Sequence, residues 1–138
     1  MTVARRALVG AGLVLVGFAA VTLVALEGVE VVRLRTTPPD GGARTTRIWV
    51  ADADGAMWIE SATPERPFLH DIATHPDVDL VRGARVLPMR ATVLAGDEGH
   101  RTIRRLLRAR YGWADRWIGM LADTSRSVAI RLDHRTTP

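Results

Sequence analysis

The chain opens with a long apolar segment. Ala7 to Leu26 forms a run of 20 uncharged, mostly apolar residues. An α-helix rises about 1.5 Å per residue, so about 20 residues span a hydrocarbon core about 30 Å thick. A secretory signal peptide has a shorter apolar stretch and a small-residue cleavage site, which Leu23 to Leu26 does not resemble. The pattern predicts an uncleaved membrane anchor over residues 1–28 and one domain over residues 29–138.

Beyond this segment, several stretches alternate apolar and polar residues with period two, as half-buried strands do. The first is Glu30 to Thr37, where Val32 and Leu34 alternate with arginines. The pair Asp54-Gly55 predicts a tight hairpin between two of these stretches. Strands are predicted over residues 30–37, 44–53, 56–61, 78–82, 85–94 and 127–133.

Two stretches have the apolar spacing of amphipathic helices, and a third carries tryptophans at helical spacing. They cover residues 68–75, 98–111 and 113–123. In the second, four arginines are predicted to face solvent: Arg101, Arg104, Arg105 and Arg108. The order β-β-β-α-β-β-α-β opens with three hairpin-linked strands, which disfavours a doubly wound parallel sheet. The fold class predicted is α+β: a small barrel of six mostly antiparallel strands with two to three helices.

The composition of the chain excludes several kinds of chemical site. The chain has no cysteine, and all 19 of its basic residues are arginine. Disulfides, thiolate ligands, cysteine nucleophiles and Schiff-base lysines are therefore excluded. Apart from Arg5 and Arg6, the chain contains 17 arginines and 15 acidic residues. This near balance argues against a nucleic-acid partner, and the histidine spacing shows no metal-binding motif.

The side of the membrane on which the domain lies stays open. Arg5 and Arg6 precede the apolar segment and favour a cytoplasmic N-terminus, which would place the domain outside. The other flank is no poorer in arginine, however. A helix that docks sideways on a membrane protein is a second possibility.

Two polar stretches could bind an anion. One opens the second predicted strand with Arg44, Thr45, Thr46 and Arg47. Arginine binds phosphate and carboxylate oxygens through bidentate, charge-assisted hydrogen bonds. The other lies ahead of the first short helix and includes Ser61 and Arg66, and a helix N-terminus favours anions. The plain alternatives are a solvated strand end and an ordinary capping loop.

Aromatic residues cluster near the C-terminus, at Tyr111, Trp113 and Trp117. Flat aromatic faces suit a planar cofactor or a quinone, and these three residues are predicted to contact substrate. Tryptophan and tyrosine also favour membrane interfaces, and ordinary core packing is a further alternative. Tyr111 is a candidate proton donor.

These segments together resemble a known family. The run WIESATPERPFLHDIATHPDVDLVRGARVLPMRATVL resembles the third strand, helix and hairpin of the split β-barrel flavin- and deazaflavin-binding proteins. That family includes pyridoxamine 5'-phosphate oxidase-like proteins and the deazaflavin-dependent nitroreductases of actinobacteria. RTTRIWVADADG is similar to the family's second strand, and LRARYGWADRWIGML to the tail of one branch. The resemblance covers residues 29–133.

The resemblance implies a split barrel that is usually a homodimer, with its ring cofactor in a groove at the dimer interface. Arg44, Thr45 and Thr46 match the family's phosphate-side positions, and Ser61 matches a position near the ring. Arg66 is added as a phosphate contact by proximity rather than by match, and Arg47 from its place in the polar stretch that begins at Arg44. Phe68 stands where flavin-mononucleotide members carry a lysine, and residues 40–43 replace their basic approach to the second strand. We therefore expect deazaflavin (coenzyme F-420) rather than flavin mononucleotide.

The hypothesis drawn from these observations is a membrane-anchored oxidoreductase. It would use deazaflavin or flavin to transfer a hydride to a planar acceptor such as a quinone or a nitro compound. Its partners would be the lipid bilayer, a planar small molecule and a second copy of the chain. The alternative is a non-enzymatic, membrane-anchored binding or assembly module that keeps the barrel and has lost the cofactor site.

Overall fold

The computed structural model describes residues 3–136. In order, its elements are α1 (Val3–Glu27), β1 (Val31–Thr36), β2 (Arg44–Ala53), β3 (Ala56–Ser61), α2 (Pro67–Thr74), β4 (Asp77–Arg82), β5 (Arg85–Leu94), α3 (Gly96–Tyr111), α4 (Trp113–Leu121) and β6 (Val128–His134).

The six strands close into an antiparallel barrel in the order β1-β2-β3-β6-β5-β4. Each strand pairs with two neighbours, and the predicted hairpin turns at Asp54 and Gly55, both with positive φ. The predicted α+β barrel is therefore confirmed, with three helices besides α1 in the described part of the chain.

The barrel interior is the main hydrophobic core. Buried apolar residues from all six strands meet there, and the short helix α2 adds Phe68, Leu69 and Ile72. In β1 the alternation predicted from sequence holds, since Val32, Leu34 and Thr36 are buried and the arginines between them are exposed. α2 thus packs on the barrel, where it contacts β5 and β1.

A second apolar cluster lies outside the barrel wall. Helix α3 contributes Ile103, Leu107 and Tyr111, which pack with small or aromatic residues of β2, β3 and β6. The end of α1 joins this cluster through Ala25 and the following Val29. Gly112 has a φ of 52° and separates α3 from α4, as glycine commonly does at the end of a helix.

Helix α1 is long and apolar enough to cross a membrane. Most of its side chains are exposed, and Ala25 near its end is buried against the second apolar cluster.

Helix α3 begins one residue before Asp97, without a hydrogen bond from a capping side chain. Asp97 is not the N-cap, because the helix already begins at Gly96 with Ala95 as the cap residue and Asp97 in the first turn. There the carboxylate still lies near the positive end of the helix dipole.

Candidate functional site

A cleft of about 370 Å³ lies between the start of β2 and the loop that joins β3 to α2. All six residues predicted for cofactor binding line it: Arg44, Thr45, Thr46, Arg47, Ser61 and Arg66. Strand β2 starts at Arg44, β3 ends at Ser61, and Arg66 is the N-cap residue of α2. The topology therefore gathers residues that are up to 22 positions apart in the sequence.

Arg44 is held in place by a buried acid. Its Nε donates a hydrogen bond of 2.7 Å to Oδ2 of Asp71 in α2, and the Thr36 hydroxyl donates to the same oxygen, also at 2.7 Å. Burial raises the pKa of Asp71, but the hydrogen bonds from Thr36 and Arg44 outweigh it, so the pKa lies below its usual value. Asp71 therefore stays charged and fixes the guanidinium at the edge of the cleft.

The other two arginines of the cleft are differently placed. Within residues 3–136, neither Arg47 nor Arg66 forms an ion pair, and both are exposed. Two guanidiniums thus present their donors without a protein acceptor. An anion in the cleft could take bidentate hydrogen bonds from them.

Ser61 is buried at the floor of this cleft. Its hydroxyl donates a 2.7 Å hydrogen bond to the carbonyl oxygen of Thr63. That bond shapes the β3–α2 loop and uses the hydroxyl proton, so Ser61 can only accept from a ligand.

A second cleft of about 350 Å³ adjoins the first and shares Arg47, Glu60 and Arg66 with it. Its far wall comes from α3 and α4, and its lining includes Trp49, Leu107, Ile118 and Gly119. The combined space has arginine and hydroxyl side chains at one end, and at the other it adds apolar side chains to the charged Arg104 and Asp115. A molecule with an anionic tail and a flat apolar body matches that division.

A charged triad lines the second cleft and was missed in the sequence. Arg104 donates to Glu60 Oε2 at 2.9 Å and to both oxygens of Asp115 at 2.6 and 2.7 Å. Its side chain is only 15% exposed, so the prediction that Arg104 faces solvent is wrong. The reason is that α4 folds back on α3 and brings Asp115 over this position. One feature of the sequence could have pointed to this triad: Glu60 is an acidic residue directly before Ser61, at the end of a predicted strand.

Glu60 has an unused acceptor. Its Oε1 is buried and finds no hydrogen-bond donor among the described residues. A buried acceptor without a donor is costly, commonly about 1–3 kcal/mol. Because Glu60 lines both clefts, a ligand N–H or O–H that reached this atom would be stabilised there.

The three aromatic residues predicted for substrate contact line neither cleft. The Tyr111 hydroxyl donates to the carbonyl oxygen of Val50 at 2.5 Å, and Tyr111 is buried in the second apolar cluster. Trp113 is 52% exposed, and Trp117 packs against α1. The aromatic side chain that does line the second cleft is Trp49.

No protein-family model and no curated protein matches this chain. Solved structures do match. An F-420 reductase is 23% identical, with a TM-score of 0.55 over 78% of this chain and 87% of the other. A FAD-binding protein from Mesorhizobium loti is 19% identical, with a TM-score of 0.57 over 78% and 82%. The heme storage protein of Vibrio cholerae is 12% identical, with a TM-score of 0.60 over 78% and 83%.

At these identities the likeness concerns the fold. It agrees with the resemblance seen in the sequence, and the closed six-stranded barrel agrees with both. The chain therefore has the split β-barrel fold of flavin- and deazaflavin-related proteins.

Proposed function

We propose that this chain is a membrane-anchored oxidoreductase that binds deazaflavin, or a flavin, in the joined clefts. It would transfer a hydride to a planar acceptor such as a quinone or a nitro compound. The observation that carries the proposal is the single cleft in which three guanidiniums, two threonines and Ser61 come together.

The arginine end of the cleft fits the phosphate of such a cofactor. Arg47 and Arg66 have no ion-pair partner within residues 3–136, and Asp71 orients Arg44. The first residues of α2, Pro67 and Phe68, line the same cleft, so the positive end of a helix dipole faces it. Phosphate oxygens here would meet charge-assisted donors on more than one side.

The inner end fits a planar heterocycle. Glu60 Oε1 lacks a donor among residues 3–136, and the ring imide N–H of a flavin or deazaflavin is a donor of the right kind. Trp49, Leu107 and Ile118 would cover the faces of the ring. The preference for deazaflavin over flavin mononucleotide comes from the sequence resemblance, in which Phe68 replaces the lysine of the flavin branch.

Bound in its reduced form, the cofactor would supply a hydride, which the acceptor takes up together with one proton from solvent. The side chains of this cleft would hold the phosphate, orient the ring and exclude water. None of them has to act as a nucleophile. The anchor α1 would keep the domain at the membrane, where lipid-soluble acceptors concentrate, and we propose that the chain forms a homodimer.

The test uses the full chain in lipid nanodiscs with reduced deazaflavin and a short-chain quinone. Loss of the reduced cofactor's absorbance should become fast only when both protein and quinone are present. Arg66→Ala should slow this reaction at low cofactor concentration, because it removes one phosphate contact. Folded protein that binds deazaflavin but never speeds its oxidation by quinones or nitro compounds would contradict the enzymatic role.

A non-enzymatic binding module is the second candidate. Two of the six cleft residues already use their polar groups within the protein, Arg44 on Asp71 and Ser61 on Thr63. In a cleft that has lost its ligand, polar side chains would form hydrogen bonds within the protein in this way. Binding of a cofactor without turnover, or no binding at all, would favour this candidate.

A further inference from the structure

Helix α4 presents a row of apolar side chains to the outside. Trp113, Met120 and Leu121 are 52%, 72% and 51% exposed. With Trp117 they occupy positions i, i+4, i+7 and i+8, which lie on one side of a helix. A face of this size and composition is unusual on a surface in contact with water.

This helix packs directly on α1. The Trp117 indole Nε1 donates a 3.0 Å hydrogen bond to the Thr22 hydroxyl, and its ring lies 5.4 Å from that of Phe18. Both partners belong to the apolar segment that ends at Leu26. At about 1.5 Å per residue, Thr22 lies about 6 Å and Phe18 about 12 Å before that end. Helix α4 therefore lies beside the part of α1 that would be in the membrane.

Ion pairs and apolar packing hold the junction between α1 and the barrel, and they keep α4 beside the end of α1. Arg82 donates to both oxygens of Glu30 at 2.6 and 2.7 Å and to Asp52 at 2.8 Å. Arg110 donates to Glu30 as well, at 2.9 Å. Glu30 lies three residues after α1 ends, and Ala25 is buried against the second apolar cluster. The end of α1 is therefore attached to the barrel by both ion pairs and apolar contacts.

The charges of α4 suit a lipid surface. Asp115, its only acid, is buried on Arg104, and Arg116 is exposed. Arginine can place its stem along apolar surroundings while its guanidinium reaches the headgroups. On the neighbouring α3, three exposed arginines could meet anionic headgroups: Arg101, Arg105 and Arg108.

We propose that α4 is an interfacial helix that inserts Trp113, Met120 and Leu121 into the same bilayer leaflet from which α1 emerges. This inference rests on the membrane anchoring in the proposed function. It adds that the domain lies against the bilayer rather than on a tether. Ile118 and Gly119 of α4 also line the second cleft, so that cleft would adjoin the lipid.

The test uses the absence of cysteine, because each introduced cysteine is unique. Met120→Cys, Leu13→Cys and Asp40→Cys are made separately in the full chain, labelled with a nitroxide and reconstituted into vesicles containing anionic lipid. All three positions are exposed, so the fold should tolerate the label. Asp40 lies beyond the end of β1 that is remote from α1. Electron paramagnetic resonance then measures collision with oxygen, which concentrates in lipid, and with a water-soluble nickel chelate.

The oxygen-to-nickel collision ratio should be high at Leu13 and low at Asp40. The ratio at Met120 should approach that at Leu13. A Met120 ratio as low as that of Asp40, with a high ratio at Leu13, would overturn the interfacial helix and leave the anchor in place. Low ratios at all three positions would overturn the anchoring and this inference with it.

Discussion

At the residue scale, Asp71 determines the orientation of the Arg44 guanidinium at the edge of the cleft. Its carboxylate is buried, accepts hydrogen bonds from Thr36 and Arg44, and has a pKa below its usual value. The charged form is therefore favoured by folding. Its stabilisation is present above the ordinary aspartate pKa of about 3.9 and is lost as pH falls through the lower folded value.

Asp71→Asn should lower the free energy of unfolding by about 2 kcal/mol at neutral pH, because two hydrogen bonds to a charged acceptor are weakened. The difference from the unsubstituted chain should shrink as pH falls below about 4. Denaturant titrations of the full chain in detergent micelles at pH 7 and pH 3 measure both values. An equal difference at the two pH values would show that the charge of Asp71 does not stabilise the fold.

Arg104 should be the most sensitive of the arginines on α3. Arg104→Ala leaves Asp115, which is 2% exposed, and the half-buried Glu60 without their cation, and breaking such a pair typically costs about 3 kcal/mol or more. Arg105→Ala removes an exposed neighbour on the same helix and should change stability by less than about 0.5 kcal/mol. Thermal unfolding of the two variants side by side makes the comparison. Equal melting temperatures would contradict the buried triad.

The polar residues of the cleft could be chosen from the sequence, because arginines and hydroxyls at a strand entry are a local pattern. Glu60 and Arg104 could not be paired in this way. They are 44 residues apart and meet only because α3 crosses the end of β3. Arg104 has the same helical spacing as the exposed arginines of α3. It differs from them only because α4 packs over it and places Asp115 against its guanidinium.

At the scale of elements, the turn from β5 into α3 depends on Gly99. A Cβ at this position would overlap the backbone carbonyl of Leu94, which cannot move without disturbing β5. Gly99→Ala should therefore destabilise the chain by about 1–3 kcal/mol, as overpacking does.

Gly119→Ala in α4 is the matched control. Its Cβ would meet only the end of the Arg104 side chain, at 4.0 Å. Alanine is favoured over glycine within a helix by up to about 1 kcal/mol, so this variant should be as stable as the parent or slightly more so. Equal destabilisation by both substitutions would contradict the close approach at Gly99.

Periodicity predicted the elements well because each strand and helix buries one face. The period-two pattern of β1 and the 3.6-residue pattern of α3 both result from this local asymmetry. Strand order has no such local signal. The pairing of β3 with the distant β6 depends on contacts between residues about 71 positions apart, such as Ile59 with Ile130.

At the scale of the whole molecule, two of the three residues of the aromatic cluster near the C-terminus pack within the protein. Trp117 lies in the contact between α1 and α4, whereas the sequence suggested that it contacts substrate. Tyr111 and Trp117 have flat faces that suit a ring ligand, and the sequence alone could not decide between ligand, core and membrane. In the fold, Tyr111 packs with Trp49 and Trp117 packs on α1. Tyr111 and Trp117 therefore pack within the protein, and neither lines the clefts.

The central claim is that the arginine-lined cleft binds the phosphate of a ring cofactor. The most direct measurement is a titration of the full chain in nanodiscs, with tryptophan fluorescence as the signal. Deazaflavin, flavin mononucleotide and heme are added in separate runs. The parent chain is compared with Arg66→Ala, and with Arg85→Ala as the control, because Arg85 is an exposed arginine at the start of β5, outside the cleft.

Deazaflavin should bind saturably, and Arg66→Ala should weaken it about tenfold or more, as loss of a charge-assisted hydrogen bond predicts. Arg85→Ala should leave the Kd unchanged. Equal affinity of the parent and Arg66→Ala, or no binding of any of the three cofactors by the folded chain, would contradict the account.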